Sequence, residues 1–175
     1  MELYTTIENN NGFCTAVKMH GDLALMCPAC HDITYIHNFY YENIIKSSQC
    51  CDKITIPDQL PIQINCDKCD YNGFAIAIDP NIADTISILN KKGYITKECC
   101  EGHDENLFYS CTNVDSKPYV LFHYGISIND VPKFWKLKIT KDGFCKLVVK
   151  KNKRHYKNEY LESLDDWARN LPNRY

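Results

Sequence analysis

The sequence predicts an α+β fold in which a β portion with two cysteine knuckles precedes a small mixed α/β portion with a C-terminal hairpin and helix. Three observations support this class: two Cys-x2-Cys pairs among strand-like residues, a capped helical pattern after them, and a hairpin pattern followed by a second helical pattern. We place the portions at residues 1–78 and 79–175. With 45% hydrophobic and 24% charged residues, the chain can build a core.

Short runs of β-branched and aromatic residues predict the strands of the first portion. These runs cover residues 13–18, 23–26, 33–36, 54–56, 62–64 and 74–78. The composition of residues 38–46 suits a short helix as well as an extended segment. The first portion is therefore expected to be mainly β.

The second portion begins with a helix start signal. Asp79 can cap free amides and Pro80 fits the first helical position, while Gly93 can end the helix in a left-handed conformation. Strands are predicted at residues 94–99 and 119–124, and a hairpin pairs residues 135–140 with 144–149. An apolar stripe from Tyr160 to Leu171 predicts a final helix that packs on the sheet.

Eleven cysteines, eight of them in pairs, favour a metal site over disulfides, because no secretory signal is visible. Two matched pairs supply the four sulfurs of a tetrahedral site: Cys27, Cys30, Cys66 and Cys69. Each pair is flanked by strand-like residues, as in a zinc ribbon, and 35 residues separate the pairs.

Four thiolates favour structural Zn²⁺, since a site with four protein ligands has no vacant position. A rubredoxin-type iron centre uses the same ligand set. The segment between the pairs holds His31, His37 and the Cys50-Cys51 pair, any of which could replace a predicted ligand. The sequence thus predicts one metal site with one uncertain ligand position.

A second group of reactive side chains follows the predicted strand after the first helix. Cys100 and His103 could form a thiolate–imidazole pair with Glu101 nearby, and these three are candidate catalytic residues. Alternatively, Cys99 or Cys100 with His103 and Cys111 could hold a second metal ion. The remaining interpretation is a packed turn with a surface histidine.

The two Cys-x2-Cys pairs, the helix after them and the string LNKKGYITKECCEGH, residues 89–103, together resemble uncharacterised zinc-ribbon proteins of bacteria and their phages that carry an LNxKGYxTxxCxGH-type motif. The resemblance covers about residues 23–124. A weaker likeness links the same string to the methyltransferase of wybutosine synthesis on transfer RNA. Thr96, Cys100 and Gly102 match its Thr-x-x-x-Cys-Ser-Gly-Arg element, whereas Glu101 replaces Ser and His103 replaces Arg. That likeness implies S-adenosylmethionine chemistry, but the methyltransferase lacks the cysteine knuckles.

Charge is divided unevenly along the chain. Residues 1–131 carry 8 basic and 17 acidic side chains and residues 132–175 carry 12 and 5, so the net charges are −9 and +7. A basic run beside tyrosines predicts nucleic-acid contacts, because cations neutralise phosphates and rings stack on bases. The candidate contact residues are Lys150, Lys151, Lys153 and Arg154. The alternatives are mutual neutralisation of the two halves or a merely solvated surface.

Three functions fit these features. The first is a zinc-binding module of bacterial or phage type that contacts nucleic acid or a protein that processes it. The second is an enzyme that acts on RNA or a nucleotide through Cys100 and His103. The third is a phage-type inhibitor that acts by surface complementarity, its acidic N-terminal part imitating a nucleic acid.

The sequence further predicts a cytoplasmic protein with no membrane partner. Residues 1–6 show neither the basic nor the apolar region of a signal peptide. The longest uncharged stretch rich in apolar residues, 118–129, is too short and too polar to span a bilayer.

Overall fold

The structure, a computed structural model, describes residues 2–8, 14–46, 62–102, 117–150 and 157–174. These residues form three antiparallel sheets and two helices, which confirms the predicted α+β class. The strands are β1 (Glu2–Glu8), β2 (Cys14–Met26), β3 (Ile33–Lys46), β4 (Gln63–Asn65), β5 (Asn72–Phe74), β6 (Ile76–Ile78), β7 (Thr96–Cys100), β8 (Tyr119–Phe122), β9 (Trp135–Ile139) and β10 (Cys145–Val149). The helices are α1 (Pro80–Lys91) and α2 (Lys157–Asn170).

The first sheet is built around the long strand β2. Strands β1 and β3 pair with it along most of its length, and β6 pairs with its last residues, from Ala24 to Met26. Residues 38–46, which suited a helix or an extended segment, continue β3 as a strand. Strand β1 was not predicted, and the predicted strand at residues 54–56 lies outside the described residues.

The second sheet has the strand order β7-β8-β10-β9, and each neighbouring pair is antiparallel. Its β9–β10 hairpin confirms the predicted one, with Ile139 opposite Cys145 at the turn. The N–H of Gly143 donates to the carbonyl of Thr140 and closes this turn. A third, two-stranded sheet joins β4 to β5.

The start of α1 lies where the sequence predicts it, but the predicted cap is wrong. Pro80 is the first helical residue, yet the carboxylate of Asp79 makes no capping hydrogen bond. Instead, Asp79 Oδ2 accepts from the N–H of Glu101, and the Glu101 carboxylate caps the free N–H of Asn81 at 3.0 Å. The end of β7 lies against the helix start, so a residue distant in sequence takes the capping role.

The end of α1 is a Schellman motif with Gly93 in the left-handed conformation, at a φ of 85°. The N–H of Tyr94 donates to the carbonyl of Leu89, and the N–H of Gly93 donates to that of Asn90. The side chain of Asn90 also accepts from the N–H of Thr96 at 2.9 Å. The turn from α1 into β7 is therefore fixed from both its backbone and its side chains.

One hydrophobic core joins both sheets and both helices. The predicted face of α1 is buried in it, together with Met26 of β2, Phe122 of β8 and Leu164 of α2. That face consists of Ile82, Ala83, Ile86 and Leu89. Residues from either side of position 78 share this core, and the predicted division into portions 1–78 and 79–175 stays a prediction.

Helix α2 presents its predicted apolar stripe to this core. The buried Trp135 of β9 donates its indole N–H to the carbonyl of Tyr160 at 3.0 Å, and Trp167 donates to Asp130 at 3.1 Å. Both indoles thus bury their rings without leaving a polar group unpaired. Within the described ranges, no helix is long and apolar enough to cross a membrane.

Leu164→Ala tests this packing. Because the Leu164 side chain is 0% exposed, truncation leaves a cavity at the α2–sheet contact, and we expect the free energy of unfolding to fall by about 2–5 kcal/mol. Chemical denaturation measures the change. The exposed Glu162→Ala on the same helix is the control and should change little; equal effects of the two substitutions would contradict the packing of α2.

Candidate metal centre

The first cysteine pair lies on the turn between β2 and β3. The N–H of Cys27 donates to the carbonyl of Asp32, and the Cys27 carbonyl accepts from the N–H of His31, both at 2.9 Å. His31 has a φ of 62°, a left-handed conformation that His, Asn and Asp adopt more readily than most residues. The turn therefore holds Cys27 and Cys30 close together.

The second pair repeats this geometry between β4 and β5. The N–H of Cys66 donates to the carbonyl of Tyr71 at 2.9 Å, and its carbonyl accepts from the N–H of Asp70 at 3.1 Å. Asp70 has a φ of 57°, so it occupies the position that His31 occupies in the first turn. Two hairpins with matching turns are compatible with the predicted ribbon.

The four sulfurs converge on one point. Cys27 Sγ lies 3.6 Å from Cys69 Sγ, Cys30 Sγ lies 3.6 Å from Cys66 Sγ, and all four lie within 4.8 Å of one another. Metal–sulfur bonds of about 2.3 Å in tetrahedral geometry place sulfurs about 3.8 Å apart, whereas a disulfide needs about 2.05 Å. The described cysteines are unbridged, and this group of four can hold one metal ion.

The thiols of the group differ in acidity. Burial opposes ionisation of Cys27, but the amides of Cys30 and Ala29 donate to its sulfur and, with neighbouring thiols, lower its pKa to about 7. The Tyr71 amide favours ionisation of Cys69, yet desolvation and the other cysteines outweigh it and raise the pKa of Cys69 to about 12. Four close thiolates need a cation, so metal binding must release protons and weaken as the pH falls.

Helix α1 anchors the first turn to the core. Ser87 donates its hydroxyl to the carbonyl of His31 at 2.5 Å. One turn later, Lys91 forms an ion pair with Asp32, and this hydrogen bond lowers the pKa of the Asp32 carboxyl. The backbone around Cys30 is therefore positioned by contacts from a helix as well as by its own hairpin.

None of the described alternative ligands joins the group. The Nδ1 of His31 is buried without a hydrogen-bond partner, but His31 is not among the converging donors. The Nδ1 of His37 lies 3.4 Å from the Oδ1 of Asp22, and the His37 side chain is largely exposed. Cys50 and Cys51 lie outside the described residues, so their predicted role stays open.

Residues 99–102 of the candidate catalytic element lie at and just beyond the end of β7, and both of their thiols have raised pKa values. Cys100 is buried, and burial together with the negative charge of Asp79 raises its pKa to about 12. Burial also raises the pKa of Cys99. An activated thiolate needs the opposite shift, which a partner such as His103 would have to supply. His103 and Cys111 lie outside the described residues, and the catalytic pair and the second metal site stay predictions.

Glu101, a candidate catalytic residue, is 4% exposed and holds the start of α1. Its two carboxylate oxygens accept from the backbone and side-chain N–H groups of Asn81, each at 3.0 Å. Gly102 follows with a φ of 82°, and a Cβ there would lie 2.6 Å from Pro118 Cδ. These two residues of the motif therefore have structural reasons for their identity.

Of the four candidate contact residues in the basic run, the structure describes Lys150 alone. Lys150 is exposed, and its N–H donates to the carbonyl of Phe134 at 2.8 Å. Lys151, Lys153 and Arg154 lie outside the described residues, so the contact predicted for this run stays a prediction.

Sequence reasoning missed three residues that position the first turn: His31 as its left-handed residue, and Ser87 and Lys91 as its contacts from α1. The residue directly after each Cys-x2-Cys pair was a usable signal, because both turns need a left-handed conformation there. The helix contacts had no such signal, since they depend on where α1 packs.

Comparison with protein-family models, with curated proteins and with solved structures gives no match for this chain. The likeness to bacterial and phage proteins and to the wybutosine methyltransferase stays a prediction from one motif. The function must be inferred from the four cysteines and from the distribution of charge.

Cys66→Ser tests the metal group. Serine offers a poor ligand for a soft cation, so we expect metal content to fall from about one equivalent toward zero and cooperative unfolding to weaken. Elemental analysis and thermal denaturation measure the two effects. Cys145→Ala, which removes a thiol outside the group, should keep the metal; loss of metal in Cys145→Ala with retention in Cys66→Ser would contradict the assignment.

Glu101→Ala separates a structural from a catalytic role. Removal of a buried acceptor leaves the N–H groups of Asn81 unpaired, and we expect a loss of about 1–3 kcal/mol in unfolding free energy. Urea denaturation measures the loss. Glu98→Ala, an exposed acid on the same strand, is the control, and an unchanged stability of Glu101→Ala would refute the capping role.

Proposed function

We propose that this chain is a zinc-binding module whose metal stabilises a surface for a nucleic acid or for a protein that processes nucleic acid. The observation that carries the proposal is the convergence of four cysteine sulfurs within 4.8 Å on two matching turns. Four protein ligands complete a tetrahedral site, which suits a structural rather than a catalytic metal.

Zinc is the metal that this donor set favours. Soft thiolates in tetrahedral geometry suit Zn²⁺, and the sulfur separations of 3.6 Å lie close to those of a four-thiolate site. A rubredoxin-type iron centre would use the same donors, so the metal must be identified chemically.

A binding role is better supported than an enzymatic one. The described thiol of Cys100 has a raised pKa, and the Glu101 carboxylate is occupied by Asn81. The C-terminal part, in contrast, carries a net charge of +7. Zinc-stabilised β hairpins recur in nucleic-acid-binding proteins, which is an analogy at the level of fold. The proposal includes a bacterial or phage setting, which is supported by the resemblance of residues 89–103 to a motif of such proteins.

Metal analysis of protein purified without a metal-affinity tag tests the proposal. We expect about one zinc per chain and little iron, and removal of zinc by a strong chelator should abolish cooperative thermal unfolding until zinc is restored. Cobalt(II) substitution should give the visible absorption of a tetrahedral thiolate site. A folded protein that carries no metal and gains none would refute the zinc proposal, and an iron content of one per chain would reassign the metal.

A further inference from the structure

The second sheet carries lysines on the face opposite the core. On its inner face Val120, Leu147 and Trp135 are buried in the core. Side chains alternate along a strand, so their neighbours lie on the other face. We call this outer surface the lysine face; it carries Tyr119, Lys136, Lys138 and Lys146 around the buried side chains of Leu121 and Val148.

The lysines of this face are placed against each other rather than against acids. Lys138 lies directly opposite Lys146 in the β9–β10 register, and Lys136 follows on the same side of β9. Directly opposed like charges destabilise a sheet. In the part of the chain that the structure describes, none of the three lysines has an ion-pair partner. Such an arrangement favours a negatively charged ligand.

Acidic residues lie at the Tyr119 end of this face, where burial first and then nearby negative groups, including Glu98 and Asp79, raise the pKa of Tyr119 to about 12. On the outer face of β7, Glu98 lies two strands from Lys146, about 10 Å away. Across residues 117–150, the sequence has seven lysines and two acidic residues. The excess of positive charge therefore lies in the part of the sequence that contains β8, β9 and β10, although the whole chain has a net charge of −2.

Aromatic rings lie beside the lysines. The ammonium group of Lys146 lies 3.7 Å from the ring centroid of Tyr119. At the hairpin end, Lys97 lies 4.4 Å from the ring centroid of Phe144, and Phe144 packs edge-on against Tyr124. Tyr124 is 75% exposed, so an aromatic ring is open to solvent next to the basic surface.

From this combination, we infer that the lysine face and Tyr124 bind single-stranded nucleic acid, with phosphates on the lysines and a base stacked on the tyrosine. Lys136 and Lys138 are about 7 Å apart along β9, which is comparable with the spacing of successive phosphates in an extended strand. Exposed aromatic rings on a sheet can stack with the unpaired bases of a single strand. In a duplex these bases are stacked on each other and are not accessible to the rings. The surface has a role only in a binding module, so this inference rests on the proposed function.

Fluorescence anisotropy of the zinc-loaded full chain with labelled oligonucleotides tests the inference. The probes are oligo-dT and oligo-U of equal length, a duplex of that length, and poly-glutamate as a polyanion without bases. We expect both single strands to bind more tightly than the duplex or poly-glutamate, and the ratio between oligo-U and oligo-dT distinguishes RNA from DNA as the preferred ligand.

The decisive variant is a triple substitution of the lysine face, which combines Lys136→Gln, Lys138→Gln and Lys146→Gln. We expect at least a tenfold loss of affinity and a salt dependence whose slope falls by about 2, because three phosphates are no longer neutralised. Tyr124→Ala alone should weaken binding about tenfold without changing the slope, since stacking releases no counterions.

A matched control removes the same charge elsewhere: Lys68→Gln, Lys133→Gln and Arg174→Gln. If this control weakens binding as much as the lysine-face variant, or if duplex or poly-glutamate binds as tightly as the single strands, the assigned surface is wrong. If the wild type holds one zinc but binds neither oligonucleotide, this inference fails while the zinc module stands. Absence of the metal would instead refute the proposed function.

Stability provides a second readout that also detects misfolding. Lys138→Gln relieves the opposition to Lys146, so the unliganded protein should melt at a slightly higher temperature while binding the oligonucleotide more weakly. A variant that lost affinity through unfolding would melt earlier and lose zinc. Unchanged affinity in a stabilised Lys138→Gln would overturn the role of this lysine.

Discussion

The meeting of four sulfurs from two hairpins is the constraint on which the N-terminal half of this fold depends. Strands β4 and β5 have three residues each, with much of their surface exposed, and such a hairpin is marginal in water by itself. The described features that join it to the remainder include the continuation of the chain into β6, which pairs with β2, and the sulfur group. A cation at the sulfurs would close a loop between two turns that the sequence separates by 35 residues.

Helix α1 connects the first cysteine turn to the rest of the molecule. Its first turn is held by Glu101 from the end of β7, and Ser87 in its third turn reaches the first cysteine turn. Just past its end, Lys92 donates to the carbonyls of Ala168, Arg169 and Leu171 at the end of α2. One helix therefore contacts the first cysteine turn, the second sheet and the last helix.

Local patterns predicted the cysteine group, both helices and the β9–β10 hairpin, because spacing and turn residues determine these over short distances. The predicted helix cap was wrong because capping here depends on a residue that is distant in sequence. Asp79 has the residue type and position of a cap, yet Glu101 arrives from β7 and caps the helix instead. The same approach buries Cys100 beside Asp79, and burial together with that negative charge raises the pKa of Cys100 to about 12. No periodicity could reveal either outcome.

Several residues of the motif at positions 89–102 have structural roles in the fold. Asn90 bonds to Thr96 across the turn, Gly93 supplies its left-handed residue, and Gly102 leaves room for Pro118. These contacts join α1 to the second sheet and so position the strands on which the opposed lysines lie. Like-charge opposition costs less than about 1 kcal/mol per pair, whereas a structural zinc supplies far more folding energy. A metal ion bound by the four cysteines would therefore more than offset the cost of the opposed lysines Lys138 and Lys146.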